Sequence, residues 1–497
     1  MRCVPRALAL GVLLVAAAPA ALAAPLTPAP APTLTLTPCE IEHPLRLTVI
    51  AAECGVLRVP ENPGEPGGRQ IGLRIARIEA ISRRKQPDPL FVLAGGPGAA
   101  AESFYASVAP AFARIQRDRD IVLVDQRGTG GSNPLTCPEP PDAPGNASIE
   151  EISARTRACL DSLARRADLA WYTTSLAVQD LEQVRTALGL GRINLYASSY
   201  GTRVAEQYVR RFPANTRAVI LDGVVPIGRP MGAATAVDAE SALEDILRRC
   251  AGDAACRGRF GDPAADYRAV RAELAGGRAV AVSVGDPSSG EPRRVSFTAE
   301  TFAGVVRLLS YVPEYAALLP LLLHAAARGD YAPLAAQYLM LERSYAESIA
   351  TGMHNSVVCA EDVPLFGSFP IDRPRLAATY LGTRQLEGLE AVCRIWPRGP
   401  VDADLRAPLH SEVPALLLSG SDDPATPPAY AHEVAQSFVH HLDVVLAGFG
   451  HGQLTAPCVD RVMAHFIAQG SVDALDVGCV RAARPLAFFT SLNGPPP

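Results

Sequence analysis

Three residue types in this chain could together perform acyl transfer: a serine, an acid and a histidine, each in a distinctive setting. The serine lies in Ala197-Ser198-Ser199-Tyr200-Gly201. Apolar, β-prone residues 193–197 lead into it and an amphipathic run, 202–212, follows. That order reads as strand, sharp turn and helix with a serine at the apex. A hydroxyl held at the top of a sheet needs a tight turn, so the positions two before and two after it must be small. Ala197 and Gly201 meet that need, and this register makes Ser199 the candidate nucleophile, with Ser198 as the alternative. The acid lies in Gly420-Ser421-Asp422-Asp423-Pro424, just past another apolar run. Pro424 stiffens the loop after Asp423, which favours Asp423 over its neighbour Asp422. The histidine is His451, in Gly448-Phe449-Gly450-His451-Gly452 after the last apolar run. His440 and His441 precede a strand-like run and His465 sits in a helical one, so neither setting matches that of His451.

Electrophile activation needs a further element. Phe91-Val92-Leu93-Ala94-Gly95-Gly96-Pro97-Gly98 follows a strand-like run, and its glycines let backbone approach a ligand closely. It carries no Gly-Lys-Ser/Thr, so it is not a phosphate loop. It suits an oxyanion loop, in which the Gly96 amide would join that of Tyr200, the residue after the serine. His451 would then take the Ser199 proton and Asp423 would hold the imidazole tautomer.

The elements that must position these groups follow from periodicity. Continuous apolar runs at 90–94, 121–124, 193–197, 218–221, 415–418 and 442–446 suit strands buried on both faces of a parallel sheet. Helical patterns at 104–116, 149–166, 176–188 and 202–212 separate the first of them. Two earlier segments, 55–59 and 70–78, read as antiparallel strands around a Pro/Gly-rich turn. After residue 221 the rhythm breaks. Helical runs at 240–249, 264–275, 299–309, 315–328 and 331–349 fill the gap, with a β-rich piece at 279–297. This predicts an α/β chain with a mainly helical insertion: core at 39–227, cap domain at 228–408, and the rest of the core at 409–497.

Residues 1–24 read as a secretory signal: Arg2 and Arg6, an apolar stretch over 7–18, and Ala21-Leu22-Ala23 before the cleavage point. That apolar stretch is too short to span a bilayer. Residues 25–38 are a Pro/Ala/Thr-rich, extended or disordered lead-in. Net charge is −5 with well-mixed signs, so neither nucleic acid nor an anionic membrane is an expected partner. Of the eleven cysteines, only Cys3 falls in the signal. An even remainder in an exported chain favours disulfides. The spacing favours neighbouring pairs, Cys39–Cys54, Cys137–Cys159, Cys250–Cys256, Cys359–Cys393 and Cys458–Cys479, while the connectivity is left open by sequence alone. Without CxxC, HExxH or a Cys/His cluster, the sequence implies no metal and no cofactor. It fixes no oligomeric state.

The order Ser199, Asp423, His451 is the chain order of the α/β-hydrolases. Gly95-Gly96-Pro97-Gly98, then Asp125-Gln126-Arg127-Gly128-Thr129-Gly130-Gly131-Ser132, then Ser199-Tyr200-Gly201-Thr202, resembles the proline iminopeptidase and tripeptidyl aminopeptidase group. Gly420 to Pro427 is similar to that group's G-x-x-D-P-x-T-P, and the stretch from Ala468 to Cys479 resembles the end of secreted tripeptidyl-aminopeptidase-like hydrolases. The likeness spans roughly residues 54–480. Ala94 and Ala197 depart from the group's pattern without removing a catalytic group. The resemblance implies an α/β-hydrolase fold, a helical cap over the site, and a serine aminopeptidase acting on peptides with a free N-terminus. Val357-Val358-Cys359-Ala360-Glu361-Asp362 looks like the group's C-x-D/E stretch, which makes Glu361 the implied anchor for the substrate amine. Arg127 and Asp125 are expected to brace the loop beneath the site. Two other functions stay open: a carboxylesterase using the same residues, and a binding protein on a hydrolase fold. An Asp nucleophile is disfavoured because the turn carries Ser.

Overall fold

A computed structural model describes Met1 and residues 34–138, 147–286 and 289–495. The signal-like stretch and residues 25–33 of the lead-in lie outside these. The described residues from 34 to 495 form one compact unit.

Nine strands form one sheet: β1 (Thr37–Glu42), β2 (Val49–Pro60), β3 (Gln70–Ile78), β4 (Leu90–Leu93), β5 (Ile121–Val124), β6 (Ile193–Ser198), β7 (Thr216–Asp222), β10 (Ala415–Gly420) and β11 (His441–Leu446). A separate hairpin pairs β8 (Val280–Gly285) with β9 (Pro292–Phe297). The sheet order is β1-β2-β3-β5-β4-β6-β7-β10-β11. β1, β2 and β3 run antiparallel, β3 meets β5 antiparallel, and every later pairing is parallel. Strand residues alternate between two apolar layers: Phe91, Leu195, Val219 and Leu417 face one, while Leu90, Tyr196, Ile220 and Leu416 face the other. Helices cover both layers, so strands with no polar face are the stable solution.

β1 is not among the strands that the sequence pattern marks, because Thr37 and Pro38 sit in Pro-rich, low-complexity sequence. A proline is tolerated there because β1 is an edge strand. The helical pattern at 104–116 is broken into Ala101–Val108, a 3₁₀ turn Ala109–Phe112 and a last turn Ala113–Gln116. Pro110 lacks the amide that a continuous helix would use. Likewise 315–328 divides into Pro313–Ala316 and Leu319–Ala326.

Between β7 and β10 the chain builds its own apolar cluster, including Leu243, Ile246, Val305, Leu309 and Leu323. Its helix Thr351–Glu361 instead packs into the sheet layer through Met353, Val357 and Cys359. The inserted segment is therefore continuous with the sheet's core. Disulfides join all five expected pairs, with Cys359–Cys393 tying two inserted helices together. Five disulfides fit an oxidising, extracytoplasmic setting. Among the described residues no helix is long and apolar enough to cross a membrane.

Candidate active site

The carboxyl ends of β6, β7, β10 and β11 are consecutive along the sheet, and each delivers one polar group to the same edge. β6 ends in Ser198 and the helix Tyr200–Arg211 begins two residues later. Ser199 between them has φ 55° and ψ −127°, a left-handed conformation that non-glycine residues rarely hold. The sequence permits it by emptying the neighbourhood. A Cβ on Gly201 would lie 2.7 Å from the Ala94 carbonyl oxygen and 2.8 Å from that of Leu93. Ser198 is buried in the strand, whereas Ser199 lines a cavity.

The loop after β10 folds around Asp423. Its Oδ1 accepts the amides of Ala425 and Thr426, both at 2.8 Å, and its Oδ2 accepts the Thr426 hydroxyl at 2.7 Å. His451 Nδ1 lies 2.9 Å from Asp423 Oδ2 and 3.1 Å from Oδ1. Asp422 turns the other way, accepting Arg249 Nη2 at 3.1 Å. With Nδ1 held by a carboxylate, Nε2 is the nitrogen left as base. Burial by itself would lower the His451 pKa. The Asp423 carboxylate outweighs it and holds the imidazole above its ordinary value.

The inserted segment also fixes His451. Its amide donates to the Tyr311 carbonyl at 2.6 Å, and its ring meets the edge of the Tyr311 ring, centroids 5.2 Å apart. A Cβ on Gly450 would sit 2.4 Å from that same carbonyl oxygen, so glycine is needed before the histidine. Ser199 Oγ makes no hydrogen bond to His451 among the described residues. The two are linked across the cavity wall, where Ser199 and Thr426 both line the space and Thr426 Oγ1 is 3.1 Å from His451 Nδ1. Such contacts commonly tighten only once substrate is bound.

Asp222, at the end of β7, is a site residue that the sequence pattern does not single out. Its carbonyl accepts the Ser199 amide at 2.9 Å, while its carboxylate accepts the Gln453 amide at 2.9–3.0 Å and the Tyr196 hydroxyl at 2.7 Å. One residue thus ties the serine turn to the histidine loop. Burial pushes its carboxyl up to about 6. An Asp followed by Gly at a strand's carboxyl end is the one signal the sequence holds for it.

Gly96 has φ +105° and lines the cavity beside Ser199. Tyr200 is the first residue of its helix, so its amide has no partner within the helix. Its side chain points into the core, where the hydroxyl meets Thr174 Oγ1 at 2.7 Å and Gln126 Nε2 at 3.1 Å. Asp125 and Arg127 are internal: Arg127 forms a bidentate pair with Asp180, 2.6 and 2.7 Å, and Asp125 accepts the Gly131 amide at 2.8 Å.

Glu361 requires a correction. Its side chain is fully buried and does not border the cavity. One carboxylate oxygen accepts the Thr174 amide at 2.7 Å, the other accepts the Thr174 hydroxyl at 2.8 Å, and Arg203 lies 3.7 Å away. The glutamate implied as the amine anchor sits in a core ion cluster, in which Arg203 also pairs with Asp362 at 3.0 Å.

The cavity has a volume of about 920 Å³, including its open mouth. Residues 225–235 and the inserted helices form most of its wall. No Asp or Glu is among its described lining residues, whereas Arg229, Arg307 and His354 are. Arg229 is neutralised by Glu433 at 2.6 Å. Burial lowers the His354 pKa, which keeps that ring neutral near pH 7.

A parallel sheet with a strained serine at one strand end, and an aspartate–histidine pair two strands further on, defines the class of the serine hydrolases with an α/β architecture. Comparison agrees: residues 88–249 match the family model described as alpha/beta hydrolase fold, and residues 378–479 match that described as TAP-like protein. The chain has the α/β-hydrolase fold, and its residues 378–479 are similar to the TAP-like region. It is 28% identical to carboxylesterase B of Mycobacterium tuberculosis over 86% of both chains. It is 25% identical to serine protease Hip1 of the same organism, over 89% of this chain and 90% of that protein. Over 35% of each chain it is 30% identical to tripeptidyl aminopeptidase of Streptomyces lividans.

Proposed function

We propose that the protein is an exported serine peptidase that cleaves peptides near a free N-terminus through Ser199, His451 and Asp423. The observation that carries this reading is the buried Asp423–His451 pair, 2.9 Å apart, at the sheet edge where Ser199 is held in its strained turn. His451 Nε2 takes the Ser199 proton as Oγ bonds to the scissile carbonyl carbon. The carbonyl π electrons move onto oxygen, which the amides of Gly96 and Tyr200 receive. The imidazolium, stabilised by Asp423, then protonates the leaving amine as the C–N bond breaks. Water repeats the sequence on the acyl-enzyme and frees Ser199. Each oxyanion donor is worth about 2.7–4 kcal/mol in the transition state.

The relatives named serine protease and tripeptidyl aminopeptidase support the peptide substrate, and the aminopeptidase name of the second is what favours a free N-terminus. The signal-like first 24 residues and the five disulfides support export. With Glu361 committed to the core, Gln385 is the acceptor offered to a substrate ammonium. It lines the cavity, and its buried Oε1 has no hydrogen-bond partner.

Ester hydrolysis is the second reading, favoured by the lack of any carboxylate among the described cavity-lining residues and by the relative named carboxylesterase B. Free-amine peptides, their N-acetylated forms and p-nitrophenyl acyl esters separate the two. The peptidase reading expects the free-amine peptides to turn over fastest and Ser199→Ala to lose about 10⁶ in kcat. Faster turnover of blocked peptides and simple esters would sink it. Full activity in Ser199→Ala would remove the site assignment itself.

A further inference from the structure

Among the described residues, Arg307 is the one guanidinium lining the cavity that has no carboxylate beside it. It sits on the inserted helix Ala299–Tyr311, one turn before Tyr311. Its Nη2 donates to the Tyr311 hydroxyl at 3.0 Å, and its charge lies 5.7 Å from the centre of that ring. No ion pair to Arg307 occurs among the described residues, and its Nε is buried without a hydrogen-bond partner. The other titratable groups around it are the phenols of Tyr311, Tyr345 and Tyr380 and the imidazoles of His354 and His451, none of them a carboxylate. The fully buried Arg127 and Arg203, by contrast, are paired with the carboxylates of Asp180 and Asp362. A fixed, partly desolvated cation without a counter-charge is costly unless a ligand supplies one. Arg307 is also close to the reacting centre, because the ring that receives its hydrogen bond is the ring packed on His451.

We propose that Arg307 binds a carboxylate of the substrate and so makes this site selective for acidic acyl substrates, short peptides above all. The planar fork of Arg307 matches a carboxylate in two-point contact. The Tyr311 hydroxyl orients that fork, and Gln385 accepts an N–H from the same substrate. The proposal rests on the hydrolase reading of the cavity. Two sources could provide the carboxylate: the C-terminus of a short peptide, or an acidic side chain.

Matched substrates distinguish these. One pair is a free-amine tetrapeptide as its C-terminal acid or its amide. A second places Glu or Gln within an amidated peptide. A third is the p-nitrophenyl ester of succinic or butyric acid, which reads the same preference without any peptide bond. The acidic member of at least one pair is expected to have a kcat/KM about 10- to 100-fold higher, mostly through KM. Arg307→Met should abolish that preference, Arg307→Glu should invert it, and Arg307→Lys should retain part of it. Isothermal titration of Ser199→Ala with the acid and amide peptides reads the same preference as binding and does not depend on turnover.

Selectivity for succinate ester without peptide cleavage would defeat the peptidase reading and leave the carboxylate site standing. Equal turnover and equal binding of acidic and neutral partners in the unmodified enzyme would overturn the site. So would an equal loss for both partners in folded Arg307→Met, which would show that Arg307 only props Tyr311 against His451.

Discussion

The sheet edge and the inserted segment meet at one cavity, yet they treat polar atoms in opposite ways. At the sheet edge every working carboxylate is saturated. Asp423 accepts from two amides, a hydroxyl and His451, and Asp222 accepts from the Gln453 amide and the Tyr196 hydroxyl. Across the cavity, Arg307 and Gln385 each keep a buried polar atom without a partner. The two carboxylates that brace the serine turn and the histidine loop are fully hydrogen-bonded. Groups that must exchange one substrate for another are left with capacity. The difference separates chemistry, which belongs to the sheet, from choice, which belongs to the insertion.

The hardest test of this division is Asp423→Asn. It keeps the shape and removes the charge that fixes the His451 tautomer, so kcat should fall by about 10⁴ with KM little moved. A comparable fall in Asp422→Asn would contradict the assignment, since Asp422 serves Arg249. Glu361→Gln probes whether that carboxylate serves the core or the substrate. Removing one partner of a buried ion cluster costs about 3–5 kcal/mol, so denaturant unfolding should shift strongly while the KM for free-amine peptides holds. A raised KM at unchanged stability would restore Glu361 as the amine anchor. Replacing Cys359 and Cys393 by Ser opens a loop with a sequence separation of 34, worth about 3–4 kcal/mol in the chain-entropy model. The loss should appear as a lower Tm, with the acid-over-amide ratio preserved in the protein that remains folded.

The pH profile is the mildest probe. His451 must be neutral to act as base, and Asp423 raises its pKa above 6.5. The acid limb of kcat/KM should therefore fall with an apparent pKa above that value, up to about tenfold per pH unit. The same shift makes protonated His451 stabilising: that contribution is complete below 6.5 and lost as pH rises through the folded-state pKa. Arg307 opposes the protonation, so Arg307→Met should move the acid limb to still higher pH. An unmoved limb would place the guanidinium farther from the imidazole than the shared Tyr311 contact requires.

Much of the fold and of the site is legible in the chain. Strands buried on both faces leave uninterrupted apolar runs, which is why β4, β5, β6, β7 and β10 stand out from the amino-acid pattern alone; the half-buried edge strand β11 shows a weaker run, interrupted at Asp443. Ser199, Asp423 and His451 are legible because each sits in a loop whose small or rigid neighbours are a local necessity. β1 is hidden, since an edge strand tolerates proline and shows no buried pattern. The Pro110 break is present in the sequence but outweighed by the helical periodicity around it.

The sequence by itself marked most of the order of elements and the candidate reactive side chains, because turns, caps and buried strands constrain residues a few positions apart, while the disulfide pairing it suggested was fixed by the fold. Only the tertiary structure decided what each acid and cation does. Glu361 and Asp362 lie beside a cysteine as a substrate anchor should, but Arg203, more than 150 positions away in the chain, draws both into the core. Asp222 became the tie between two loops, and Arg307 a cavity-lining cation with no ion pair among the described residues, for the same reason. A charge's role depends on which opposite charges and donors surround it and on how much water remains. Folding brings those neighbours in from distant parts of the chain.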